Sequence, residues 1–187
     1  RPSKLEPNRL TINMFRLGGR SLYGEEDAAT LAMWQSVVRE SGAADFDYLT
    51  LEKKRRGKAL RVVPYLNMEE EGVSGVCGAS DLKSWLEICH LYLTQPRKDA
   101  DIFESMMERQ RTMAANRTAS PNVIYNDSLR VAIYGENKFT QPLTLERLAE
   151  VNHDRMYEIH RERFSDLSGM NLIITGDIRE DDFEDLL

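Results

Sequence analysis

Strand-like and helix-like segments fall into separate groups along this chain, and that grouping narrows the possible folds more than any single motif. Leu10, Ile12 and Met14 alternate over residues 10–17, with Phe15 and Leu17 on the other parity. This is the pattern of a strand covered at least partly on both faces, and Gly18 and Gly19 end it. The spacing then becomes helical through Ala28, Leu31, Ala32, Met33, Val37 and Val38. Acidic Glu25, Glu26 and Asp27 stand at the start of that run and Gly42 at its stop. Thr50 is expected to cap a short helix through Arg56, ended by Gly57. Residues 59–66, with the β-branched pair Val62 and Val63, read as a strand that Pro64 confines to an edge or a strand end. Glu69, Glu70 and Glu71 read as a solvated turn into a further strand over residues 72–77, where Gly72 and Gly75 permit close backbone packing.

Helices dominate the remainder of the chain. Asp81 is expected to cap an apolar helix carrying Leu82, Trp85, Leu86, Ile88, Cys89, Leu91, Tyr92 and Leu93, closed by Pro96. Residues 101–117 are amphipathic through Ile102, Phe103, Met106, Met107, Met113 and Ala114, and Pro121 opens a helix through residue 129 or 130. Thr144 starts a longer helix, to roughly residue 164, with an apolar stripe of Leu145, Leu148, Val151, Met156, Ile159 and Phe164. The last strand spans residues 171–175, between Gly169 and Gly176. Strands and helices grouped this way predict an α+β fold, one antiparallel or mixed sheet covered by helices on one face. With 187 residues, 41% apolar, no internal repeat and no low-complexity stretch, residues 1–187 are expected to form a single domain.

Charge and residue usage exclude several function classes. A net charge of -6 and a pI near 5.2 leave no basic field for nucleic acid, and the run Lys53, Lys54, Arg55, Arg56 and Lys58 reads as a solvated face. No apolar run approaches the ~18 residues of a membrane span, and residues 1–8 are polar rather than signal-like, so the chain reads as a soluble piece of a longer polypeptide. Cys77 and Cys89 have no partner pair for a zinc ribbon and are expected to be buried free thiols. His153 and His160 are seven residues apart, about 10.5 Å along a helix and too far to share one ion, while His90 stands alone. Each reads as a surface or satisfied core histidine. Glu69 to Glu71, and Asp181 with Asp182, read as solvated turns rather than an acid–base pair. Ser74 stands in a G-x-S-G context that misses the nucleophile-elbow spacing. Gly18, Gly19 and Gly24 lack the lysine and spacing of a phosphate loop. The acceptor patterns Asn116-Arg-Thr118 and Asn126-Asp-Ser128 are too common by chance to weigh.

A series of short motifs covers nearly the whole chain: Phe15-Arg-Leu-Gly-Gly-Arg-Ser21, Glu40-Ser-Gly42, Glu71-Gly-Val-Ser-Gly75, Ser80-Asp-Leu82, Tyr92-Leu-Thr-Gln-Pro-Arg97 with Phe103 after it, Met107-Glu-Arg-Gln-Arg111, Gln141-Pro-Leu-Thr144, and Arg163-Phe164 leading to Ile173-Ile-Thr-Gly-Asp177. In order and spacing they resemble the pitrilysin/insulinase metallopeptidases, and look like the third of four homologous domains in long bacterial insulinase-like proteases. In that family an early helix reads Leu-Ala-His-x-x-Glu-His, its histidines binding zinc and its glutamate polarising the zinc-bound water. Here the helix reads Leu31-Ala-Met-Trp-Gln-Ser-Val37, so Met33, Ser36 and Val37 stand in place of two ligands and the base. The family's third ligand, a later glutamate, would fall near Met113 or Ala114.

The resemblance therefore implies a non-catalytic domain of a zinc metalloprotease with no catalytic or metal-binding residue of its own. Its binding residues are not carried over from the family. Zinc is expected in the catalytic domain of the parent, the other domains of the polypeptide as partners, peptide as substrate in a shared chamber, and a periplasmic setting. Burying Met33 and Val37 against the sheet would contribute roughly 1.5 to 3 kcal/mol each. Two other readings stay open: an inactive scaffold subunit of the same fold that docks on a separate active subunit, and an unrelated hydrolase using His153 or Ser74.

Overall fold

The computed structural model describes residues 7–177. Its centre is a four-stranded sheet in the order β2-β3-β1-β4, built from β1 (Leu10–Leu17), β2 (Arg61–Leu66), β3 (Glu70–Cys77) and β4 (Asn171–Gly176). All three pairings are antiparallel, with Ile12 opposite both Gly75 and Ile174, and Val62 opposite Gly75. Side chains alternate across a pleated sheet, so this register sorts the strands into two faces. Leu10, Ile12, Val73, Cys77 and Val62 share one parity and are buried in the main core. Thr11, Asn13, Ser74, Ile173 and Thr175 share the other and are exposed or half-exposed.

Helices meet the apolar parity. α1 (Ala28–Ser41) and α3 (Leu82–Thr94) contribute Leu31, Met33, Trp34, Val37, Leu82, Trp85 and Cys89 to the core. Behind them α4 (Ala100–Ala115) buries Phe103, Met106 and Met107, and α7 (His153–Phe164) buries Met156, Ile159 and Phe164. The expected α+β sheet covered on one face is the fold observed. The expected tight packing at the β3 glycines is also present, because a Cβ on Gly72 or Gly75 would collide with the backbone oxygen of Met14 or Arg61.

Several boundaries differ from the sequence reading. The second helix, α2 (Tyr48–Lys54), is capped by Asp47, whose carboxylate accepts from the Thr50 backbone N–H at 2.6 Å, so Thr50 lies inside it. Asp81 makes no capping bond and instead ends a 3₁₀ turn, Ala79–Asp81. α4 is capped by Asp99, which accepts from the Asp101 and Ile102 N–H groups at 3.1 Å each. α5 (Pro121–Tyr134) runs past residue 130 and stops at Gly135, whose φ of 65° closes it. The long helix expected from Thr144 is two helices, α6 (Leu145–Ala149) and α7, because the Asn152 side chain accepts from the Arg155 N–H at 3.0 Å and restarts the helix there. On β1, Phe15 is half-buried but Leu17 is 79% exposed, so cover on the second face stops before the strand ends.

Candidate functional site

α1 follows the 3₁₀ turn Glu25–Asp27 and ends at Gly42, with φ 89°. Its period places Met33 and Val37 on the core side, 2% and 0% exposed, while Ser36 is half-buried. A thioether and an isopropyl group packed among Leu10, Ile12 and Val73 are core side chains, and neither supplies the nitrogen or oxygen donors that zinc takes. Met113 is 66% exposed and Ala114 is half-buried, and neither offers a carboxylate. The residues at the zinc-helix positions do not fit a zinc ion. Among the described residues no group of three or more His, Cys, Asp or Glu is placed to hold a metal.

The histidines are taken up elsewhere. His160 is 1% exposed, its Nε2 lies 2.9 Å from the Leu93 carbonyl oxygen, and its ring stacks on Trp34 at 5.7 Å between centroids. Burial pushes its pKa down to about 4. His153 lies face to face with Phe103 at 4.2 Å and edge-on to Tyr157, and burial followed by the Lys98 charge also lowers its pKa. His90 is exposed on α3. Ser74 sits on β3, opposite Asn13 and Val63, whereas His153 begins α7, so the two do not form one site. Burial pushes the Cys77 thiol up to about 11 and the Cys89 thiol up to about 12, keeping both protonated and unreactive at neutral pH. Both are free and buried, as expected. Asp181 and Asp182 lie outside the described residues.

One sequence expectation fails at Glu71. β3 begins at Glu70 rather than Gly72, so Glu71 is a strand residue on the same parity as Val73, and it is fully buried instead of solvated. It sits opposite Arg16 on β1. Its carboxylate accepts from Arg16 Nε at 2.7 Å, from Arg163 Nε at 2.8 and 2.9 Å, from Arg163 Nη2 at 2.6 Å and from the Gly19 N–H at 3.2 Å. Arg16 continues to the carbonyl oxygens of Asp166, at 2.9 Å, and Arg163. Two guanidinium groups and a backbone donor occupy the carboxylate, so it has no free oxygen to act as a base and instead fastens the end of α7 to the sheet. The missed signal was parity: Glu71 is two residues before Val73 and four before Gly75 on the inward side of the strand.

A second polar cluster fixes the other end of α7. Arg155 donates to Asp27 through Nη2 at 3.0 Å and Nε at 3.1 Å, and to Glu162 through Nη1 at 2.7 Å, while the Tyr23 hydroxyl donates to Glu162 at 2.9 Å. The hydrogen bonds Arg155 donates to Asp27 and Glu162 raise its pKa further, the Arg155 bond lowers that of Glu162, and burial is the main cause raising that of Tyr23. Arg155, Glu162 and Tyr23 are thereby held in the charge states that suit the cluster at neutral pH.

The outer face of the sheet carries a polar concavity. Tyr65 donates its hydroxyl to Asn13 Oδ1 at 3.0 Å, and Thr11, Asn13, Arg61, Tyr65, Asn67 and Ser74 line a shallow concavity there. On β1, β3 and β4 the outward residues between the strand ends are uncharged: Thr11, Asn13, Phe15, Gly72, Ser74, Val76, Ile173 and Thr175. In a chain with 30% charged residues, the lack of charge over these three strands marks the face as a candidate contact surface.

No protein-family model matches the chain, and no curated protein matches it. Solved structures do. The periplasmic protease PqqL from Escherichia coli superposes over 99% of this chain with a TM-score of 0.80 at 15% identity. A peptidase M16 inactive domain from Pseudomonas fluorescens covers 97% with a TM-score of 0.75 at 13% identity, and a protease from Helicobacter pylori covers 99% with a TM-score of 0.76 at 9% identity. The chain has the fold of a peptidase M16 domain, the insulinase-like class that its motifs resemble. It spans 20% of the Escherichia coli chain, 44% of the Pseudomonas fluorescens chain and 45% of the Helicobacter pylori chain.

Proposed function

We propose that residues 1–187 are one non-catalytic domain of a longer zinc metallopeptidase, forming part of the wall of a chamber that encloses peptide. The observation that carries this reading is the burial of Met33 and Val37 in the core, at 2% and 0% exposure, on the helix where the family resemblance places zinc ligands. The active-site helix has become packing, and zinc belongs to another domain of the parent. The outer face of the sheet, uncharged across the middle of β1, β3 and β4 and carrying Asn13, Ser74 and Tyr65, is the surface turned towards substrate. A periplasmic setting is supported by the described location of the Escherichia coli protease of the same fold.

Purified 187-residue chain tests this directly. Elemental analysis should find no stoichiometric zinc, and a peptidase assay no cleavage that a chelator abolishes. Either positive result overturns the proposal. The complete reading frame separates it from the alternative of a free scaffold subunit: a Leu-Ala-His-x-x-Glu-His segment elsewhere in the same polypeptide supports a domain, and its absence supports a subunit.

A further inference from the structure

α5 is the one α-helix among the described residues that buries nothing larger than part of a side chain. Ile124, Tyr125, Leu129, Val131, Ile133 and Tyr134 are between 43% and 67% exposed. Tyr125, Leu129 and Ile133 form one stripe at four-residue spacing, and Ile124 and Val131 form a second, about 150° away around the helix axis. A helix with apolar residues on two sides is normally enclosed by protein. Its composition points the same way. Asn122, Val123, Ile124, Asn126, Asp127, Ser128, Val131 and Ile133 are middling or poor helix formers, and an isolated helix shorter than ~12–15 residues is marginal in water. Among the described residues its body is tied to the preceding turn by the Arg117–Asp127 pair, with Arg117 Nε donating at 2.8 Å.

We propose that α5 is a docking helix that inserts into an apolar groove on a second domain of the same polypeptide. This rests on the reading of the chain as one domain of a longer peptidase. Three observations select that occupant. Structures of this fold carry it within longer chains, of which it spans 19% to 48%, so further protein at high effective concentration is the regular neighbour. Two apolar stripes on different sides require a groove, whereas a twofold contact between copies covers a single patch. The helix has one acidic and one basic residue, Asp127 and Arg130, and so lacks the basic face by which amphipathic helices bind membrane surfaces.

Hydrogen–deuterium exchange of α5 amides, measured in the 187-residue chain and in the complete polypeptide of its reading frame, tests the proposal. α5 should exchange far faster than α3 in the short chain and gain about a hundredfold protection in the complete one. Leu129→Lys with Ile133→Lys should remove that gain while leaving α3 protection unchanged. A second domain in the frame with α5 exchanging equally fast in both overturns the docking helix and spares the domain reading. A frame without further domains overturns the domain reading and the docking helix with it. Protection that appears in the short chain as its concentration rises, or on adding phosphatidylglycerol vesicles, assigns α5 to a second copy or to a membrane and also overturns the proposal.

Discussion

α1 and α5 are both 14 residues long and both rich in apolar side chains, yet α1 buries Ala28, Ala29, Thr30, Leu31, Met33, Trp34, Val37, Val38 and Ser41 while α5 buries no residue. α1 finds its cover within the chain, between the sheet, α4 and α7. α5 touches chiefly the short 3₁₀ turn before it, Arg117–Ala119. Apolar periodicity states that a face is to be covered. It does not state by what, and under the docking proposal the difference between these helices is the difference between packing inside a domain and packing between domains.

The largest test of that contrast is Trp34→Ala. Trp34 is 0% exposed and stacks against the neighbouring rings of His160, at 5.7 Å, and Phe164, at 5.9 Å. Truncating a tryptophan so enclosed leaves a cavity and should lower unfolding free energy by about 3 to 5 kcal/mol. Urea denaturation reads this as a shift of midpoint at constant slope. A loss under about 1 kcal/mol would mean that α1 is no better seated than α5.

A smaller effect comes from pH, through the α7 residue that α1 covers. His160 has its pKa depressed to about 4, so the folded state holds it neutral while the unfolded chain protonates near 6.5. Between those values the unfolded state binds more protons, and stability is lost as pH falls from about 6.5 towards about 4. Above 6.5 the contribution is fully present, and the loss amounts to about 3 kcal/mol at about 1.4 kcal/mol per pKa unit. The His153 pKa is lowered as well, first by burial, so the chain's own pH slope is not the measurement. His160→Phe keeps an aromatic ring on Trp34, and its slope across this window should be flatter than that of the parent chain. An unchanged slope would locate the proton uptake elsewhere.

Much of this architecture could be read from residue order. The alternation of Leu10, Ile12 and Met14, the acidic start and glycine stop of α1, and the β3 glycines each act locally, so each was legible. Glu71 was not, because three glutamates in succession look alike until the strand's starting point fixes which one points inward beside Arg16. The break between α6 and α7 was signalled by Asn152, a capping residue inside a continuous apolar stripe, and the stripe masked it. Gly135 marked the true end of α5, but the missing tertiary contacts of that helix leave no trace in sequence. The absence of zinc ligands at positions 33, 36 and 37 was plain from residue identity, whereas their burial required the fold.

The smallest expected effect sharpens the comparison most. Leu129 is 43% exposed, and in the 187-residue chain Leu129→Ala removes an apolar group that contributes little to the core. Alanine is also the better helix former, which offsets part of any lost contact. Unfolding free energy should change by no more than about 0.5 kcal/mol, as at other surface positions. Under the docking proposal the same substitution should cost more in a longer polypeptide, where the side chain would fill a groove. A loss of about 2 kcal/mol or more in the short chain, the magnitude seen for core leucines, would mean that α5 already has its partner within these residues, and the distinction between the two helices would disappear.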